Sequence, residues 1–92
     1  MAALFPLGRI VATPGTLGVL VSAGENPARL LERHVSGDLG DVPPEDAGEN
    51  EASIRHGFRV VSSYSVGTAD ERVWIITEAD RSSTCILLPE EY

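Results

Sequence analysis

At Gly57 the spacing of apolar residues changes from helical to extended, and this switch limits the chain to folds that join a helical half to a sheet. Downstream of it, Phe58, Val60, Tyr64 and Val66 alternate with Arg59, Ser63 and Ser65, as in a half-buried strand. Arg72 to Thr77 (RVWIIT) is apolar on both faces, as a central strand is, and Thr84 to Leu88 (TCILL) is stopped by Pro89. Polar connections at Gly67–Glu71 and Glu78–Arg81 are short enough to be hairpin loops, which predicts an antiparallel meander.

Upstream, the signals are those of helix ends. Thr13-Pro14 reads as an N-cap followed by proline at the first helical position. Leu17, Leu20 and Val21 then form a stripe up to Gly24. Asn26-Pro27 repeats the start, and Leu30, Leu31 and Val35 form a second stripe before Gly37. After the turn-rich stretch Gly37–Pro44, a third, acidic helix runs from Pro44 to about His56. Glu45, Asp46 and Glu49 occupy its first turns, Arg55 its last, and Glu51 and Arg55 stand as i, i+4 partners. Leu4 to Ala12 is a first strand or an extended lead-in; Pro6 and Gly8 suit it to a sheet edge, and whether it joins the meander stays open. The expectation is one α+β domain over residues 1–92, helical at about 13–57 and a β-meander at about 58–89, with three short helices on a mainly antiparallel sheet.

Charge narrows the function classes. Fourteen acidic residues face seven basic ones, all arginine, for a net charge of −7. No cationic footprint exists for a nucleic-acid backbone or an anionic membrane surface. No run approaches the ~20 apolar residues of a membrane span. The N-terminus lacks a basic and apolar secretory signal, and the single Cys85 excludes an internal disulfide, so a cytoplasmic setting is expected. Neither phosphate-cradling glycine motif occurs, and no cofactor is expected.

Three clusters are candidates for chemistry. His34, Asp38 and Asp41 place one imidazole and two carboxylates on a helix end and a glycine-punctuated turn. Such a set could hold a divalent cation or supply a base. The same residue types also make helix ends and turns, and EF-hand spacing is absent. Glu78, Asp80 and Arg81, with Ser82 and Ser83, form a polar hairpin tip: a small charged pocket, or the ion-paired turn that two apolar strands need. Glu45, Asp46 and Glu49 belong to an acidic run without a basic residue, either a solvated face or a ridge for a basic partner. Tyr64 and Trp74 read as core or interface anchors, Cys85 as an inert core residue and His56 as a helix terminus.

The segments LFPLGRIVATPG, RHVSGDLGD and VWIITEADRSSTCILLPEEY together resemble a family of short bacterial proteins of plasmids and other mobile elements, some of which carry the name type I restriction endonuclease subunit M. The resemblance covers nearly the whole chain. A DNA adenine methyltransferase needs an Asn/Asp-Pro-Pro-aromatic motif, and the one Pro-Pro here, in Val42-Pro43-Pro44-Glu45, has neither flank. The resemblance therefore implies a mobile-element setting and no catalytic residues. The expected function is a non-enzymatic accessory protein that binds another protein, or a second copy of itself, through an acidic surface. The alternative is a small enzyme or divalent-metal module centred on the His34–Asp41 loop.

Overall fold

The computed structural model describes residues 3–40, 52–69 and 71–92. Its elements run β1 (Arg9–Ala12), α1 (Pro14–Ala23), α2 (Pro27–Val35), a helical segment at residues 52–56, β2 (Val60–Val66), β3 (Glu71–Thr77), β4 (Ser83–Leu87) and a closing 3-10 turn, Pro89–Glu91. The fold is α+β, with the helices on one face of a four-stranded sheet of order β1-β4-β3-β2. Two antiparallel pairings form the meander, while β1 joins β4 in parallel, Ile10 opposite Thr84 and Val11 opposite Cys85. The N-terminal segment thus does pair with the meander, but only over four residues. Upstream, Gly8 has a φ of +65°, and a Cβ there would come 2.4 Å from the carbonyl oxygens of Arg81 and Ser82. No helix among the described residues is long and apolar enough to cross a membrane.

Both first helices begin and end where local chemistry dictates. The Thr13 Oγ1 accepts from the Thr16 N–H, Gly24 closes α1 in the left-handed conformation, and Asn26 caps α2 through the Ala28 N–H. The buried faces differ from the expected stripes. In α1 the inward residues are Thr16 and Leu20, whereas Leu17 is 47% and Val21 81% exposed. That helix is apolar nearly all round, so periodicity alone could not choose its face. In α2 the inward pair is Leu30 and His34, one turn apart.

One core cluster contains Leu20, Leu30, Tyr64, Val66, Val73, Ile75 and Ile86; a second contains Phe5, Leu39 and Val60. Even-numbered β2 residues face the helices, from Val60 to Val66, and Ser62 is among them. Phe58, expected to start the inward series, precedes the strand and is 60% exposed. Cys85, expected in the core, lies half-buried on the opposite face of the sheet. It stands in a cross-strand row with Val11, Ile76 and Val61, and burial pushes its thiol pKa up. Tyr64 is a core anchor, while Trp74 is half-buried on that outer face, edge-on to Tyr92.

Candidate functional site

Inside the fold, an imidazole is wired to three hydroxyls. The last turn of α2 points the ring of His34 at the sheet, where Nδ1 meets the Ser62 hydroxyl and Nε2 lies 2.8 Å from the Thr77 Oγ1. Thr77 and Thr84 are cross-strand neighbours with their hydroxyls 2.7 Å apart, and the Thr84 Oγ1 donates to the Leu7 carbonyl at 2.8 Å. His34, Ser62, Thr77 and Thr84 are each fully buried.

Donor counting assigns the protons. The Leu7 carbonyl can only accept, so Thr84 spends its hydrogen there and accepts from Thr77. Thr77, its own hydrogen spent, accepts from Nε2–H of His34. This leaves Nδ1 bare, and it accepts from Ser62. His34 is therefore the neutral Nε2–H tautomer, with every polar atom of the chain satisfied. Its pKa falls from 6.5 to about 4, first because burial disfavours the imidazolium and then because Arg81 lies nearby. The Phe5 ring meets His34 edge-on at 5.3 Å and carries the Arg81 guanidinium on its face at 5.1 Å.

A serine hydroxyl donating to a histidine is the pairing that activates a nucleophile, but catalysis requires that a substrate reach the hydroxyl. Here the serine, the imidazole and its second partner are shut inside the sheet–helix interface. The arrangement does structural work. It ties α2, the N-terminal segment and three strands at one point, because a buried polar group without a partner costs about 1–3 kcal/mol.

The other candidates lie apart from it. Asp38 faces outward and pairs with Arg33 through both carboxylate oxygens, at 2.7 and 3.3 Å, and this contact holds its carboxyl below the usual range. Both side chains are about half exposed, so the pair contributes at most ~1 kcal/mol. Arg33 also lies over the Tyr64 ring, and the Tyr64 hydroxyl, its pKa pushed up to about 12 by burial, donates to the Asp38 carbonyl at 2.7 Å. His34 and Asp38 thus share a loop but not a site, and both imidazole nitrogens are occupied. Asp41, Glu45, Asp46 and Glu49 lie outside the described residues.

At the β3–β4 tip the expected ion pair gives way to a clamp. Arg81 turns inward and donates to the carbonyls of Phe58 (2.6 Å), Ser53 (3.0 Å) and Glu78 (3.2 Å), pinning the end of the 52–56 helix to the hairpin. The Asp80 Oδ1 accepts from the Ser82 N–H at 2.9 Å instead, closing a local turn, and hydrogen bonding from the Ser82 side chain and then its backbone keeps the carboxyl below the ordinary value. Glu78 and Asp80 stay exposed. Arg81 has a φ of +60°, a conformation that costs a residue with a Cβ about 1–2 kcal/mol. We expect Arg81→Ala to lose about 1–2 kcal/mol in urea denaturation, and Arg81→Gly to recover about half of that by removing the strain. Equal stability of both variants and the wild type would show that the clamp contributes nothing.

The sequence did carry a sign of the buried chain. Ser62, Thr77 and Thr84 fall on the same strand phase as Val60 and Tyr64, Val73 and Ile75, and Ile86, so their hydroxyls had to point inward and find partners. No protein-family model, no curated protein and no solved structure matches this chain.

Proposed function

We propose that the chain is a non-enzymatic accessory protein, of a mobile-element setting, that binds a basic surface of another protein through its acidic side. The observation that carries this reading is the net charge of −7 together with the carboxylates that face solvent. Arg33 and Arg81 are committed to intramolecular partners, and Arg59 lies over the Tyr92 ring. Meanwhile Glu32, Glu71, Glu78, Asp80 and Glu90 face solvent. Arg9, Arg29, Arg55, Arg59 and Arg72 face solvent as well, so the negative outward field rests on the overall net charge of −7. The run holding Glu45, Asp46 and Glu49 adds three more carboxylates.

The test begins with capture of the partner from host lysate under nuclease treatment, followed by affinity measurement with the purified pair. Changing Glu45→Gln, Asp46→Asn and Glu49→Gln together should weaken binding about tenfold and flatten its salt dependence. An affinity and salt slope matching the wild type would remove the acidic run from the interface.

A further inference from the structure

We infer that the chain forms a two-fold dimer by antiparallel pairing of β1 with β1 of a second copy, extending the sheet to eight strands. β1 is an edge strand, and Ile10 and Val11 on it are 49% and 43% exposed. The Arg9 N–H donates to Ser82 and the Thr13 N–H to Ile86, so odd residues serve β4. By alternation, the N–H and C=O groups of Ile10 and Ala12 face outward. Such an edge is a template for another strand.

The length and charge of the edge select a second copy as the occupant. Its usable window is closed on one side by Gly8, with its positive φ, and on the other by Pro14, which has no N–H. Both lie three residues from Val11, so the window is symmetric about that residue and matches itself when reversed. Setting Val11 opposite Val11 of the second copy pairs each Ile10 with the other Ala12 through four inter-chain hydrogen bonds. Faces are preserved, so the outer row Val61, Ile76, Cys85 and Val11 continues unbroken into its counterpart.

In this register, Arg9 of each copy stands opposite Thr13 of the other. The Thr13 hydroxyl holds the exposed Glu91 carboxylate at 2.6 Å, so a cation meets an anion twice across the axis. From Ile10 to Gly24 the chain bears no charge, so two copies of net charge −7 approach there with the least repulsion. The pairing is independent of the acidic-surface reading, and either stands if the other fails.

Sedimentation equilibrium on the full chain tests the dimer, with hydrogen exchange as a site-specific readout. The seam is small, so a dissociation constant on the order of 10 μM is expected. The Ile10 and Ala12 amides should gain protection as concentration rises. Ile10→Pro removes an outward donor while leaving the β4 pairing intact, and should give a folded monomer by far-UV circular dichroism. Should that variant not fold, Val11→Lys and Arg9→Glu, both at exposed positions, should each raise the dissociation constant at least about tenfold. A wild-type monomer at ~0.5 mM overturns the proposal. A dimer indifferent to Val11→Lys and Arg9→Glu does so as well, since it would use another face.

Discussion

Replacing His34 with alanine is expected to cost about 4 kcal/mol, enough to unfold much of a domain whose total stability is of the order of 5–15 kcal/mol. Two losses combine. Removing a fully buried ring leaves a cavity beneath Phe5, where the ring edge now packs. It also strips Ser62 of its acceptor and Thr77 of its donor in a space without water access. Thr77→Val separates the two, because it keeps the volume and removes only the hydroxyl. The Nε2–H is then orphaned and Thr84 loses its donor, for an expected loss of about 2–3 kcal/mol. Urea midpoints of the two variants measure the difference. A Thr77→Val protein as stable as the wild type would mean that the hydroxyl chain contributes nothing to the fold.

The second large effect is on pH dependence. His34 has a pKa of about 4 in the folded state against 6.5 for the free side chain. Between those values the unfolded chain binds the proton that the folded one refuses, so stability rises with pH through that window. The contribution is complete above about pH 6.5 and is lost as pH falls through about 4. A shift of this size corresponds to about 3 kcal/mol. Asp38, Asp80 and Glu91, whose carboxyls are held below their ordinary values, lose their share as the pH falls below those ordinary values. Denaturation midpoints at half-unit intervals from pH 7 to 4 should therefore fall steadily in the wild type. A flat profile between 6.5 and 4.5 would place His34 in a solvated position.

What could be read from the sequence was what neighbours in the chain decide. Thr13-Pro14, Gly24 and Asn26-Pro27 mark helix ends because a cap acts within three or four residues. The meander was legible because its loops are short. Contacts between distant segments were not. The parallel pairing of β1 with β4 joins residues more than seventy positions apart, and nothing in RIVA specifies its partner. His34 sits four residues after Leu30, on the inward face of α2, yet its partners Ser62 and Thr77 are 28 and 43 residues away. Strand parity required inward hydroxyls, but only the fold shows that one imidazole satisfies two of them. Arg81 read as a surface partner of Asp80 because the pair is adjacent. Its positive φ turns the side chain back onto the Ser53 and Phe58 carbonyls instead.

His34 is a neutral, fully engaged strut of the core and not a base or a metal ligand. Nitrogen-15 and carbon-13 NMR of the imidazole across pH 3.5–8 tests this role most directly, since ring shifts report both tautomer and titration. The expected result is a protonated Nε2, a bare Nδ1 and no titration above about pH 5. A midpoint near 6.5, or shifts that respond to added divalent cation, would contradict the account and return the His34–Asp41 loop to consideration as a reactive centre.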